Sequence, residues 1–506
     1  GQVSESVVVS GTQEMVNTTN PTLTNVVRTN QIKDLPLPTR NVLDLARLQA
    51  GVAVTGTDTR NASVGGLRGT GTYLTQDGIN AMDNFVKTSS FFAISAPSLD
   101  SIQEFSLTVG TVGSDSGRGV AQVTMVTKNG TNEFHGRLFY QHRNDALNAN
   151  TFFNNATFDQ NLGKTVPKPV LRQHFFGFNV GGPAFLPKVY NGRDKSFFFF
   201  SYEGFRENFQ VTRNRTVLTP AARLGTFRYQ GRDAQGNTTS ETVNLLSIGS
   251  FGALNPITMA QLNAMPASNN TLVGDGLNTA GYRFNVNGTD PSDKYVGRFD
   301  QQLLNSSRLG SHKLEFVYNY ASFLLTPDTF NGLEAPFPGG INGFQASTRT
   351  LVTAAIQSTF GSRMTNEVRV GHQRAPVKFL RESQPTIPFL DLNSVTDFDN
   401  SFMSQGRNTL VYQYIDNFSL LVGPHSFRMG ADIQSISAIT FNDAGLNQTT
   451  VIGSNSANGD GIHSSEFQNL PRNADGTVSS TGTAIVNRAK SVFVDLAGLL
   501  GSSSRT

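Results

Sequence analysis

Gly119–Gly136, reading GVAQVTMVTKNGTNEFHG, is where this chain changes rhythm. Val120 to Thr127 alternates apolar and polar residues, the period of a half-buried strand. Asn129-Gly130 predicts a turn. The chain then restarts as Phe134-His-Gly-Arg-Leu-Phe-Tyr140, a second alternating run. The stretch therefore reads as a join between one compact strand unit and a longer series of amphipathic strands.

Upstream of the join the pieces are short. Asn41–Gln49 predicts a short helix with Val42, Leu45, Ala46 and Leu48 on one face, Asn41 as N-cap and Gly51 as stop. Strand-like runs follow at 62–67, 72–76, 102–109 and 120–127, punctuated by glycines. Asp77-Gly78 has the composition of a hairpin turn rather than of a binding site. This amounts to an α+β unit of about 130 residues, an ordinary domain size.

Downstream, alternating runs of roughly ten residues recur, the period of strands in a membrane barrel. They fall at 134–143, 173–181, 196–204, 294–303, 312–323, 349–360, 364–374, 410–421 and 426–437, with a last run at 489–499. Gly361-Ser362-Arg363 and Val422-Gly423-Pro424 are tight turns, whereas 144–172, 219–292, 375–408 and 438–488 are long connections. Loops of that length are out of place in a compact soluble domain. Short turns on one side and long loops on the other are the asymmetry of outer-membrane barrels.

Composition narrows the choice. The 506 residues carry a net charge of only +3, so no nucleic acid or other polyanion is implied as a partner. With no cysteine, disulfides, thiolate metal sites and a cysteine nucleophile are excluded. No run approaches the 18 or so apolar residues of a transmembrane helix, which leaves barrel strands untouched. The histidines 135, 142, 174, 312, 372, 425 and 463 show no metal-ligand spacing. Nucleophile-elbow and phosphate-loop motifs are absent. Gly65-Gly-Leu-Arg-Gly-Thr-Gly71 lacks the strand–helix setting of a dinucleotide site. The sequence thus points to no catalytic residue, no metal and no cofactor, and to a protein that is not an enzyme.

Several motifs, in order, resemble the TonB-dependent outer-membrane receptors of the Oar-like type, which carry a carboxypeptidase-regulatory-like domain before a plug and a barrel. Leu35-Pro-Leu-Pro-Thr-Arg-Asn41, Val64-Gly-Gly-Leu-Arg-Gly69, Leu74-Thr-Gln-Asp-Gly-Ile-Asn80, Pro97–Phe105 and above all Ser116–Gly136 carry the resemblance. Arg143–Asn148, Gly181-Gly-Pro183, Phe197–Gly204 and Gly423–Gly430 extend it. In the first motif Pro38-Thr39 departs from the family's Asn-Gly. The implied fold is mainly β: a small α+β plug at 13–130, then part of a large antiparallel transmembrane β-barrel at 131–506. Residues 1–12 would be the end of the regulatory-like domain or a TonB-box-like segment. About ten strands is too few to enclose such a plug, since plugged transporters have roughly 22, so further strands are expected beyond this sequence.

The resemblance implies uptake of a scarce or bulky extracellular solute across the bacterial outer membrane, energised by TonB and its inner-membrane complex, with outer-membrane lipid around the barrel. Glu5, Val7, Val8 and Val9 would add as a strand to TonB, or be the last strand of an upstream domain. Arg68 and Arg118 would meet barrel glutamates, with Glu203 as partner, because a buried arginine needs a counter-charge. Alternatives are an adhesin or structural surface protein displaying the long loops, and a secreted carbohydrate-active β-protein. The last needs a paired carboxylate cleft that no spacing suggests.

Overall fold

A computed structural model describes the chain from Leu23 to Ser504, apart from residues 29–31, 33–39, 55–60, 67–70, 87–90, 92–95, 111–118, 120, 151, 153–154, 156–157, 160–163, 166, 272 and 455–458. Glu5, Val7, Val8, Val9, Arg68 and Arg118 lie outside the described residues.

The N-terminal unit is built on a five-stranded sheet. Its strands are β1 (Leu23–Arg28), β4 (Thr72–Gln76), β5 (Ile79–Asn80), β6 (Ile102–Val109) and β7 (Ala121–Thr127), in the order β1-β6-β7-β4-β5. A separate pair, β2 (Val52–Val54) and β3 (Ala62–Val64), completes it. Alternation sets the sheet: Ala121, Val123, Met125 and Thr127 are buried and the residues between them are not. The predicted short helix is a 3-10 turn, Val42–Leu48, and the Asn41 side chain accepts from Leu43 N at 3.1 Å. Its buried face of Val42, Leu43, Leu45 and Ala46 joins Leu74, Ile79, Phe105 and Met125 in one apolar core.

The second unit is one antiparallel sheet of ten strands. They are β8 (His135–Asn144), β9 (Leu171–Pro183), β10 (Ser196–Leu218), β11 (Thr279–Thr289), β12 (Ser292–Ser306), β13 (Gly310–Leu325), β14 (Gly343–Phe360), β15 (Met364–Arg381), β16 (Gln405–Val422) and β17 (His425–Asn442). β10 pairs with β12 along Ser196–Phe205 and with β11 along Asn208–Leu218, so β11 and β12 act as one strand broken at Asp290-Pro291. Otherwise each strand pairs with the next, and among the described residues the two end strands are not paired with each other.

One face of this sheet is apolar and exposed. Tyr295 pairs with Tyr320, Phe299 with Phe316, Ile356 with Val368, and Ile433 with Tyr414. The opposite face carries Glu203, Arg298, Glu315, Arg369, Gln413 and Gln434, and the N-terminal unit lies against it. Apolar-out and polar-in is the pattern of a barrel wall in lipid. A strand needs only about 9–11 residues to cross a membrane, and β10 has 23.

Three sequence expectations need correction. Residues 489–499 are not a strand; they end the helix Ser480–Ala497. Val486, Ala489, Val492, Phe493 and Leu496 are buried at helical spacing, Ser479 caps the start and Gly498 closes the end at φ +64°. Asn129-Gly130 is not a hairpin turn. A Cβ on Gly130 would lie 2.4 Å from Phe198 O and 2.7 Å from Gly182 O, so glycine serves a close crossing against the wall. The connection 219–292 hides a strand, β11, whose Gly281, Asn285, Asn287 and Gly288 dilute the alternation. Asp77-Gly78, by contrast, is the expected turn, with φ +49° and +79°.

The long connections also share a fold of their own. Phe227 and Tyr229 from a hairpin (Thr226–Arg232 with Thr238–Asn244), Leu262 from the helix Pro256–Ala264, Phe337, Leu392, Ile452, Phe467, and Val492, Phe493 and Leu496 form a second buried core. The short turns lie at the other end of the wall.

Candidate functional site

The chemistry of this molecule is concentrated where the N-terminal sheet meets the inner face of the wall. Three clusters make the contact, and each is polar.

In the first, Arg40 reaches the wall from the segment just before the 3-10 turn. Its Nη2 lies 2.5 Å from Asp100 Oδ2 and 3.2 Å from Glu203 Oε2. Its Nη1 donates to Gln141 Oε1 at 3.3 Å, and the guanidinium sits 4.2 Å from the centre of the Phe139 ring. Arg137 on β8 pairs with the other oxygen of Asp100 at 2.7 Å, and Lys294 Nζ is 3.7 Å from Glu203 Oε1. Arg40, Asp100 and Glu203 are all buried. Glu203 therefore meets an arginine of the N-terminal unit that the sequence reading did not single out, Arg40; Arg68 and Arg118, the arginines expected at Glu203, lie outside the described residues. The signal for Arg40 was the motif Leu35–Asn41, where it is the sole charge among prolines, leucines and a threonine.

The second cluster holds the β4–β5 turn. Arg298 Nη1 donates to Thr127 O at 2.9 Å, and Arg369 Nη1 donates to Asp77 O at 2.8 Å. Glu315 joins the two guanidinium groups at 2.8 and 2.7 Å. The Asp77 carboxylate turns inward and accepts from Thr127 N at 2.8 Å and Thr127 Oγ1 at 2.7 Å. Ile79 enters a notch in the wall at Gly371, where any Cβ would lie 2.3 Å from Ile79 Cδ1.

The third cluster is mostly amide. Gln76 Nε2 donates to Asn319 Oδ1 at 2.8 Å, Asn80 N to Gln413 Oε1 at 2.8 Å, and Gln434 Nε2 to Tyr73 Oη at 2.8 Å. Asp83 pairs with Arg407 of β16, whose guanidinium covers Phe85.

Such contacts suit surfaces that separate and rejoin. Each bond can be exchanged for one to water, so its net contribution is about 0.5–1.5 kcal/mol between neutral groups and about 1.5–3 kcal/mol where one is charged. A carboxylate stripped of its buried partner alone costs about 3–5 kcal/mol.

Residues 126–494 match the outer membrane beta barrel domain family. The chain belongs to that family. This outer-membrane barrel protein resides in the bacterial outer membrane. Its fold is similar to that of the outer membrane transporter YddB from Escherichia coli, with a TM-score of 0.52 at 12% identity, covering 86% of this chain and 51% of that one. The alcaligin receptor FauA from Bordetella pertussis (TM-score 0.39, 12% identity, 84% of this chain and 57% of that one) and the copper transporter OprC (TM-score 0.42, 12% identity, 83% and 55%) are also similar. The chain spans about half the length of these structures. No curated relative matches the sequence.

In this barrel protein the outer loops add a different chemistry. Asp495, on the helix Ser480–Ala497, accepts from Asn393 N and Ser394 N at 2.8 Å each and from Ser394 Oγ. Burial pushes its carboxyl up to about 6, with Asp391 adding to the effect against those hydrogen bonds. Asp397 is likewise raised by burial to about 6. No cluster of three or more potential metal ligands occurs among the described residues.

Proposed function

We propose that this protein is a TonB-dependent transporter, in which the N-terminal unit is the plug, residues 131–506 belong to the barrel and its outer loops, and a bulky or scarce solute enters when the plug shifts. The observation that carries this reading is the largely polar seam between plug and wall, in which Leu351 and Ile415 are apolar exceptions. A permanently seated domain would be held by apolar burial; this one is held by Arg40–Glu203, Arg298, Arg369 and a row of amides. The fold's likeness to the outer membrane transporter YddB supports the reading.

TonB is the proposed partner, with Glu5–Val9 as the segment it would engage by strand addition. Among the described residues β1 is an edge strand of the plug sheet, paired with β6. Arg68 and Arg118 remain proposed as further plug contacts with the wall. An adhesin built on the same loops would have no use for a displaceable plug.

The test is untargeted mass spectrometry of the medium around cells that carry or lack the native protein and TonB. Depletion of a solute that needs both supports transport. Depletion that persists without TonB, or none attributable to the protein, overturns it.

A further inference from the structure

Above the Arg40 cluster, the inner wall holds a cavity of about 260 Å³ lined by Arg143, Gln173, Phe175, Glu203, Phe205, Ser292 and Lys294. Strand register explains why these residues meet. Arg143 pairs with Gln173, Phe175 with Phe205, Phe205 with Ser292, and Glu203 with Lys294, all on the lumen-facing rows of β8, β9, β10 and β12. The Phe175 and Phe205 rings lie 4.5 Å apart and give the cavity an apolar wall. Arg143 and Lys294 supply positive charge. Ser292 supplies a hydroxyl, and the Gln173 amide donates to Glu207 Oε1 at 2.8 Å, which leaves its Oε1 buried without a hydrogen-bond partner.

We propose that this cavity is a subsite for one acidic sugar residue, a pyranose bearing a carboxylate, and that it fixes the end of a larger solute directly above the plug. The assignment rests on the transporter reading. The volume is below the roughly 300–1,000 Å³ of pockets for drug-sized ligands, so it takes a single ring. A pyranose has an apolar face for Phe175 and Phe205 and hydroxyls for Ser292 and for the orphaned Gln173 acceptor, which otherwise costs free energy. Its carboxylate would pair with Lys294 and Arg143. An aromatic acid would satisfy the rings and cations but offers no hydroxyl to Gln173.

The position has a consequence. Lys294 already leans on Glu203, which holds plug residue Arg40. A bound carboxylate would share that lysine with Glu203, so occupancy of the subsite and the grip on Arg40 draw on one cation.

The experiment is saturation-transfer NMR on the purified native protein in detergent, with D-glucuronate, D-glucose and benzoate as probes. Glucuronate is expected to bind, with glucose and benzoate at least tenfold weaker. Lys294→Gln and Arg143→Gln should each weaken glucuronate at least fivefold, and Lys294→Arg should largely restore it. Equal binding of glucose or benzoate, no binding of glucuronate, or wild-type binding by Lys294→Gln would overturn the subsite. Binding needs no TonB, so failure here leaves transport standing, and a TonB-independent phenotype leaves the subsite standing.

Discussion

The N-terminal sheet and the outer loops both pack against the same wall, and they are attached by opposite means. The sheet has its own apolar core, and among the described residues Leu351, with Ile415 beside it, extends that core into the wall. The other contacts described across that seam are mainly charge and amide, with Ile79 in the notch at Gly371. The outer loops instead fuse with the top of β10 and β11 through Val217, Leu218 and Tyr282, and with one another through Phe227, Phe337, Phe467 and Phe493. Apolar burial at about 25 cal/mol per Å² has no counterpart in water to exchange with, so it holds for good. A polar seam trades partners with water at little net change. The proposed function assigns movement to the unit held by the polar seam.

Four perturbations break or sharpen this contrast. Glu203→Ala has the largest expected effect on the sheet. It strips Arg40 of one counter-charge and should loosen the seam by about 3–5 kcal/mol. Hydrogen exchange should speed up in β6 and the 3-10 turn and stay unchanged in the outer loops. Phe493→Ala is the mirror image, costing about 3–5 kcal/mol in the loop core, with faster exchange at 226–244 and 480–497 and no change in β4–β7. If either variant loosens both regions equally, the two attachments are not independent.

Gly371→Ala ranks next. Its Cβ falls on Ile79, and overpacking of this kind costs about 1–3 kcal/mol. Protease nicking within the plug should rise, and Ile79→Ala in the same chain should reverse it.

The last effect is pH-dependent and confined to the loops. The Asp495 carboxyl is raised from 3.8 to about 6 in the folded protein. The folded loops therefore bind that proton more tightly than an unfolded chain does. The associated stability is full below about pH 4 and is lost as pH rises through about 6, on the order of 2–3 kcal/mol. Protection at 391–397, taken relative to the intrinsic amide exchange rate at each pH, should be greater at pH 5 than at pH 7, and Asp495→Asn should flatten the dependence.

How much of this was legible in the sequence follows from the same contrast. The wall strands were readable because lipid on one face and a wet lumen on the other impose period two, as in Lys313–Ala321 and Asn366–Arg374. β11 was not, because its Gly281, Asn285, Asn287 and Gly288 break the period. The helix at 480–497 was misread because Val492-Phe-Val494 looks like strand when its neighbours at 486 and 489 are ignored. The loop core draws on residues more than two hundred positions apart, and no local period records that. Glu203 stood out as an acid within an aromatic strand. Its partner Arg40 did not, because a lone arginine just after a proline-rich run reads equally well as a solvated turn. Arg298, Glu315 and Arg369 each sit in an ordinary polar strand position, and only register brings them to Thr127 and Asp77.

The central claim is that the plug moves when TonB is energised. Met125 lies fully buried in the plug core, and the chain has no cysteine, so Met125→Cys gives one silent reporter. Cells carrying this variant are exposed to a membrane-impermeant maleimide added outside, with and without TonB and with and without a proton uncoupler. The account predicts labelling that rises severalfold only when TonB is present and the membrane is energised. Labelling at one constant level in all four conditions would contradict it.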